Sequence, residues 1–139
     1  MSNADNHRRA ADLWNSRDWD GLAADLAEDC ELVDQARGVT VKGREEWMEL
    51  ERAWAAAFSD GRITSVRVSG EGTTTTLRFV AQGRNDGPLG PLPATGREMT
   101  LPFCEVREYD ADGKVTRGEW YYDQVTMLTQ LAHMEPPAG

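Results

Sequence analysis

The sequence has few of the residue types that cross-link secreted domains or bind transition metals. Its two cysteines, Cys30 and Cys104, form no paired motif, so we expect two buried neutral thiols and no structural disulfide. Its two histidines, His7 and His133, lie near opposite ends of the chain. Because no cluster of His, Cys, Asp and Glu has metal-ligand spacing, the sequence predicts no metal site.

Basic residues and long apolar runs are scarce as well. Lys and Arg total 15 against 24 Asp and Glu, which gives a formal charge of −9 at pH 7. A field of this sign, with no basic stripe, repels nucleic acid and anionic membrane surfaces. No apolar run approaches the roughly 20 residues of a membrane span, and residues 1–12 lack the hydrophobic centre of a signal peptide. The sequence therefore predicts a cytoplasmic protein that binds neither nucleic acid nor membrane.

What the chain does contain is the composition of an ordinary globular domain. Its 139 residues are 40% hydrophobic and 28% charged, and a chain of this length can bury a substantial core. No repeat, low-complexity segment or linker divides it. We therefore predict a single domain over residues 1–139, ending in a disordered tail at 134–139.

The hydrophobic period changes along the chain from helical to strand-like. In the third and clearest helix, Trp47, Trp54 and Phe58 recur at helical spacing. Residues Asp110–Gly113 supply the turn of a tight hairpin between the last two strands. The predicted helices are 5–16, 19–27, 44–58 and 127–133, and the predicted strands are 31–35, 40–42, 62–68, 73–82, 99–109 and 114–123.

Helices followed by a long antiparallel meander are typical of the α+β class. A sheet of four or more strands that curls over N-terminal helices keeps a concave face that the helices do not fill. Such hollows are where small ligands bind. We therefore expect a pocket for a small, largely apolar or aromatic organic molecule.

Several sequence motifs resemble those of the SnoaL-like polyketide cyclases. They are the segments 86–97 (DGPLGPLPATGR), 104–115 (CEVREYDADGKV), 120–123 (WYYD) and 128–131 (LTQL), with 14–18, 41–45 and 57–60 in the first half. This family belongs to the superfamily of nuclear transport factor 2 and ketosteroid isomerase. The resemblance implies a cone-shaped, curved antiparallel sheet wrapped around the N-terminal helices, an NTF2-like or cystatin-like α+β barrel.

The resemblance also implies an activity. The cyclases of this family close a ring by intramolecular aldol condensation of a polyketide ester, without metal or organic cofactor, and use an aspartate on the last strand as acid/base. Asp123 falls on that position. Relatives with Asn there are linked to hydroxylation, so Asp favours cyclisation. The chain departs from the family at Asn85, where many relatives have His, and at Arg117 and Glu119, where many have Glu and Trp.

Strand alternation then predicts the composition of the pocket. If Asp123 faces the pocket, Tyr121, Glu119 and Arg117 face it too, because alternate residues of a strand share a face. Burial would raise the pKa of Asp123 and suit it to remove a proton beside a carbonyl group. Tyr121, Arg117 or Asn85 would then stabilise the oxyanion.

The aromatic residues complete these expectations. Trp120 and Tyr122 would point outward and form a homodimer interface on the outer face of the sheet. The remaining aromatic candidates are expected to form the core and the wall of the pocket; they are Trp14, Trp47, Trp54 and Phe58.

Each candidate residue also has a structural interpretation that the pattern leaves open. Asp123 can cap a helix that begins near Val125, and Arg117 with Glu119 can form an ion pair inside or outside the sheet. Asn85 can be a turn residue. The Pro- and Gly-rich segment 88–93 can be a connector or a gate at the rim of the pocket.

Two classes of function therefore remain after the sequence analysis. The first is a cofactor-independent enzyme that acts on a small aromatic or polyketide-like carbonyl compound, either as a cyclase or as a hydroxylase, isomerase or dehydratase. The second is a non-catalytic ligand-binding accessory protein of a biosynthetic pathway in secondary metabolism.

Overall fold

The computed structural model describes residues 1–138. Its helices and strands are, in chain order, α1 (Asn3–Asn15), α2 (Trp19–Ala24), β1 (Leu26–Asp34), β2 (Val39–Lys42), α3 (Arg44–Ala57), β3 (Arg62–Ser69), β4 (Thr74–Arg84), β5 (Glu98–Tyr109), β6 (Val115–Tyr121) and α4 (Gln124–Gln130). Of the tail predicted at 134–139, residues 134–138 contain no helix or strand, and Gly139 lies outside the described residues.

The six strands form one curved, open sheet in the order β2-β1-β6-β5-β4-β3. Every neighbouring pair is antiparallel except β1 and β6, which run parallel. Register shifts interrupt the β1–β6, β3–β4 and β5–β6 pairs, and such bulges bend and twist a sheet. The prediction of an α+β fold with a curved sheet around N-terminal helices is confirmed, although β2 and β3 remain unpaired edges within residues 1–138.

The inner face of the sheet packs against α1, α2 and α3. Helix α1 begins with a capping box, in which the Ser2 hydroxyl accepts from Asp5 N and the Asp5 carboxylate accepts from Ser2 N. Helix α3 directs Trp47 and Met48 into the core, and the indole ring of Trp47 lies against Gly118 on β6. A Cβ atom at Gly118 would lie 2.3 Å from that ring, so the close approach of α3 to β6 requires glycine there.

Several element boundaries differ from the sequence prediction, and the clearest difference lies between α2 and β1. The predicted helix 19–27 ends at Ala24, and Leu26 already pairs with Val115 of β6. The Lys114 ammonium group donates to the Ala24 carbonyl oxygen at 2.6 Å and so caps the end of the helix. Strand pairing with a distant part of the chain therefore overrides the local helical spacing.

The inward-facing positions of β5 carry the polar part of the site. On this strand, alternate side chains from Met99 to Tyr109 are buried. The inward series is apolar for its first three members, Met99, Leu101 and Phe103, and then continues with Glu105 and Arg107. The alternation thus brings two charged side chains into the interior.

Candidate functional site

A mostly apolar pocket lies between the helices and the inner face of the sheet, with a cavity volume of about 80 Å³. Its apolar lining comes from α1, α2, α3 and β3–β6 and comprises Ala10, Ala11, Trp14, Leu22, Trp54, Phe58, Ile63, Leu77, Phe79, Ala81, Met99, Phe103 and Trp120. The exposed side chains of Arg62 and Gln82 also line it, so the pocket reaches the surface there. Glu51, Glu105 and Arg107 are the buried charged residues of the lining.

Glu105 is the centre of a buried hydrogen-bond network. Its Oε1 atom accepts from Arg107 Nε at 2.8 Å and from His7 Nε2 at 2.9 Å. Its Oε2 atom accepts from the Trp120 indole at 2.7 Å. Burial alone would raise the pKa of Glu105, but the charge of Arg107 and the hydrogen bonds from His7 and Trp120 outweigh it and lower the pKa to about 2. Glu105 is therefore an ionised carboxylate that accepts three hydrogen bonds, with at least one on each oxygen.

His7 continues this network away from the pocket. Burial lowers its pKa more than the hydrogen bond to Glu105 raises it, so the imidazole is neutral. Since Nε2 donates to Glu105, Nδ1 must accept, and Thr75 Oγ1 lies 2.7 Å from it. Because Thr75 Oγ1 donates to His7, it accepts in turn from the Tyr109 hydroxyl, 2.9 Å away. The chain of donors fixes the His7 tautomer and holds Glu105 in place.

Glu51 is in a different electrostatic state from Glu105. Its Oε1 atom accepts from the Trp47 indole at 3.0 Å, and the side chain is buried with 8% of its surface exposed. Burial raises its pKa first, the negative charge of Glu105 raises it further, and the hydrogen bond from Trp47 and the charge of Arg107 oppose these effects only in part. The resulting pKa is about 7. Glu51 can therefore both take up and release a proton near neutral pH.

Of the predicted aromatic wall, Trp14, Trp54 and Phe58 line the pocket. Trp47 is buried behind it and contacts Glu51 through its indole N–H. Asn85 is buried but does not line the pocket. Its amide donates to the Ala57 and Gly87 carbonyl oxygens and accepts from Thr95 N, so it anchors the Pro- and Gly-rich loop to the end of α3.

The facing predicted for β6 is wrong. Trp120 is the inward residue, with 5% of its surface exposed, and Tyr121 is 43% exposed on the outer face. On that face the Tyr121 hydroxyl donates to Glu119 at 2.8 Å, and Arg117 Nε lies 3.8 Å from Glu119. A large indole gains more from burial than the three polar side chains do, which decides the orientation of the strand.

Tyr122 is also not part of an outward aromatic patch. Its ring stacks on Phe103 at a centroid distance of 4.5 Å, and its hydroxyl donates to the buried Asp34 at 2.9 Å. With Trp120 buried as well, the two residues expected to form a dimer interface are not available for it. The homodimer itself stays a prediction.

The predicted placement of Asp123 in the pocket is also wrong. Asp123 is exposed, follows the end of β6 and is the N-cap of α4, where its Oδ1 atom accepts from Val125 N at 3.0 Å and from Thr126 N at 3.3 Å. The structural interpretation of this residue, a helix cap, is the one that the structure shows. The Asp123 carboxylate is exposed to water, whereas a base that removes a proton from carbon works best when it is buried.

We expect the substitution Asp123→Ala to lower the free energy of unfolding by about 1 kcal/mol, because it removes the cap of α4. Urea unfolding measures this change. Asp123→Asn is the matched control and should keep wild-type stability, since Asn caps helices as well as Asp does. A loss of turnover in Asp123→Asn approaching the 10²- to 10⁴-fold effect of removing a general acid or base would contradict the assignment as a cap.

Glu51, Glu105 and Arg107 are not among the residues predicted from the sequence to be functional. A signal for each was present in the sequence. Glu51 falls on the apolar stripe of α3 between Trp47 and Trp54, and Glu105 and Arg107 continue the alternating apolar series of β5. A charged residue at a position that the pattern assigns to the interior is a functional candidate, because its burial needs compensation.

Two further observations concern metals and membranes. Within residues 1–138, no group of three or more His, Cys, Asp and Glu side chains is placed to hold a metal ion. None of the described helices has both the length and the apolar character that crossing a membrane demands.

Comparison with known proteins adds a family and a set of similar folds. A family model described as SnoaL-like polyketide cyclase matches residues 4–131. Among solved structures, IdmH from Streptomyces antibioticus, a candidate polyketide cyclase, is 26% identical with a TM-score of 0.78, covering 95% of this chain and 99% of that chain. No curated protein matches the sequence.

Two more distant structures share the fold. AclR from Streptomyces galilaeus, a candidate hydroxylase, is 17% identical with a TM-score of 0.82, covering 98% of this chain and 84% of that one. A protein from Catenulispora acidiphila with a ketosteroid isomerase-like fold is 22% identical with a TM-score of 0.73, covering 91% of this chain and 93% of that one. The fold expected from the sequence motifs is therefore confirmed.

Proposed function

Because the chain belongs to the SnoaL-like polyketide cyclase family, we propose that it is a cofactor-independent enzyme that removes and returns a proton beside a carbonyl group, with Glu51 as the acid/base residue. The observation that carries this proposal is the buried carboxyl group of Glu51, with a pKa of about 7, on the wall of an apolar pocket. A base of that pKa combines a useful ionised fraction with proton affinity near neutral pH. Asp123, the residue suggested by the resemblance, is exposed at the surface and is the N-cap of α4.

In the ring closure that we propose, Glu51 acts as base and then as acid. The ionised Glu51 takes a proton from the carbon next to a carbonyl group, and the C–H electron pair moves to give an enolate. The enolate carbon attacks a second carbonyl group of the same molecule and forms the new C–C bond. The alkoxide produced takes the proton back from Glu51, so the product has the composition of the substrate and the enzyme is restored.

The dimensions of the pocket restrict the substrate. A cavity of about 80 Å³ is smaller than the roughly 300–1,000 Å³ pockets that enclose drug-sized ligands. The reacting part is therefore compact, such as one ring or one acyl unit, and the remainder of a larger molecule extends past Arg62 and Gln82. The stacked rings of Phe79 and Phe103, whose centroids are 5.3 Å apart, present an aromatic wall to it.

The pH dependence of proton removal tests this proposal without knowledge of the natural substrate. The probe is 2-indanone, a compact aryl ketone, and the measurement is deuterium exchange at its α carbon in D2O, followed by NMR. We expect kcat/KM to rise with pH through about 7, because burial raises the pKa of Glu51 to about 7 and only the ionised form is a base. A flat profile across that range, or no acceleration over buffer, would contradict the proposal.

A non-catalytic binding protein would give a different result in the same assay. It would bind 2-indanone in the pocket, detectable as quenching of the fluorescence of Trp14 and Trp54, which line it. It would not accelerate exchange. Binding and exchange measured on one preparation therefore separate the two classes of function.

A further inference from the structure

Arg107 has donors that the fold does not use. Its Nε group donates to Glu105, which leaves the Nη1 and Nη2 groups of the guanidinium. Neither makes a hydrogen bond within residues 1–138, and the Arg107 side chain lines the pocket. A buried guanidinium presents up to four remaining N–H donors in a planar fork, the geometry that binds oxyanions in two contacts.

The surrounding residues cannot satisfy this fork. The two oxygens of Glu105 are occupied by Arg107 Nε, His7 and Trp120. Glu51, which also lines the pocket, accepts from Trp47 through Oε1 and makes no hydrogen bond to Arg107. The rest of the lining nearby is apolar, so the acceptors for these donors come from water or from a ligand that displaces it.

The charges of the cluster indicate which kind of acceptor fits. Glu105 compensates Arg107, and Glu51 is the only other group of the pocket lining that can carry negative charge. When an acidic ligand gives its proton to Glu51, the negative charge moves from the carboxylate to the ligand oxygen, and the net charge of the pocket does not change. A neutral guest without an acidic proton offers no such exchange.

The charge at the entrance to the pocket favours the binding of an anionic ligand. Arg62 lies exposed at the mouth and makes no ion pair within residues 1–138, although the chain as a whole carries a formal charge of −9. A single unpaired cation at the mouth of a cleft attracts ligands of opposite charge locally.

We propose that the pocket selects compact aryl or cyclic compounds with a phenolic or enolic oxygen, such as cyclic 1,3-dicarbonyl compounds, and that Arg107 binds this oxygen as an oxyanion. This inference deepens the proposed function, on which it rests, by naming the substrate class. In ring closure the same contact would receive the enolate oxygen that forms when Glu51 removes the proton.

The test compares two probes of almost equal shape, 4-nitrophenol and nitrobenzene, by isothermal titration at pH 7. Charge-assisted hydrogen bonds to a buried guanidinium correspond to about 10- to 100-fold tighter binding of 4-nitrophenol. Bound 4-nitrophenol should also show the absorption spectrum of the phenolate at a pH where the free compound is partly neutral. Equal affinity for the two probes would overturn the inference.

Substitutions of Arg107 test whether its guanidinium causes the preference for 4-nitrophenol. Arg107→Met should abolish the preference for 4-nitrophenol and the phenolate spectrum. Because this variant leaves the Glu105 charge without its partner, Glu105→Gln/Arg107→Met provides a second version with no buried charge at either position. Arg78→Met, at an exposed position of β4, is the control and should keep the full preference. Retention of the preference in both Arg107 variants would overturn the assignment.

Failure of this inference can be distinguished from failure of the proposed function. Glu51→Gln mimics the protonated carboxyl group, so it should still bind 4-nitrophenolate in preference to nitrobenzene, while it loses exchange of 2-indanone. If Glu51→Gln exchanges 2-indanone like the wild type, the proposed function fails and the Arg107 site stands. If the Arg107 variants keep the preference and Glu51→Gln loses exchange, the reverse holds.

Discussion

The substitution Glu51→Gln is expected to lower kcat for deuterium exchange of 2-indanone by about 10²- to 10⁴-fold, the usual contribution of a general acid or base. Gln has nearly the same shape as Glu, and its side-chain oxygen can still accept from the Trp47 indole, as Glu51 does at 3.0 Å. The variant therefore removes proton transfer and preserves the packing. The measurement is the exchange rate by NMR at pH 8, where most of the wild-type Glu51 is ionised.

Glu49→Gln is the matched control for this experiment. Glu49 lies on the same helix, two residues away, and is exposed. The same chemical change at that position should leave the exchange rate at the wild-type value. If Glu51→Gln also retained it, Glu51 would not be the base, whatever the state of the pocket.

Glu51→Gln should also change how the free energy of unfolding depends on pH. Burial raises the pKa of Glu51 from an ordinary value of 4.5 to about 7, so the folded protein holds this proton more tightly than the unfolded chain does. The stabilisation is fully present below about pH 4.5 and is lost as the pH rises through 7, a change of about 3 kcal/mol. Glu51→Gln lacks it. Urea unfolding should therefore show the variant gaining stability relative to the wild type between pH 5 and pH 8.

The largest effect on stability is expected from Glu105→Ala, which should lower the free energy of unfolding by about 3–5 kcal/mol, the range for breaking a buried ion pair from one side. The substitution leaves three buried donors without an acceptor, from His7, Arg107 and Trp120. It also leaves the positive charge of Arg107 uncompensated in an apolar interior. Urea unfolding at pH 7 measures the change.

Two comparisons establish the cause of that loss. Glu108→Ala alters an exposed residue of the same strand and should have an effect of less than about 1 kcal/mol, because exposed ion pairs contribute little. Glu105→Ala/Arg107→Ala should be less destabilised than the sum of its two single variants, since each single variant leaves one charge buried alone. Additive losses would mean that the pair is not coupled.

Local sequence features were sufficient to predict much of the fold. Helix α3 was predicted from its aromatic spacing almost to its ends, because Gly43 starts it and the stripe from Trp47 to Phe58 has a single period. The hairpin between β5 and β6 was predicted from the residues of its turn. The early end of α2 was not, since it depends on pairing of Leu26 with Val115, far away in the chain.

The candidate site could not be predicted from local sequence features alone. Alternation along β6 correctly divides its residues between two faces, but the pattern does not say which face the helices cover. Choosing the face from Asp123 placed Tyr121 inside and Trp120 outside, the opposite of the structure. On β5 the same alternation has an apolar half that identifies the inner face, so Glu105 could have been recognised as buried.

The α+β class, the order of the elements and the family could all be predicted from the chain, because hydrophobic period, turn residues and motifs are properties of neighbouring residues. Which acidic residue is held away from water depends instead on how distant segments pack together. Glu51 and Asp123 are both carboxylic acids at plausible positions, and they differ in what surrounds them. Packing of α3 on the sheet encloses Glu51 near Glu105. The turn into α4 leaves Asp123 in solvent, where it accepts hydrogen bonds from backbone N–H groups.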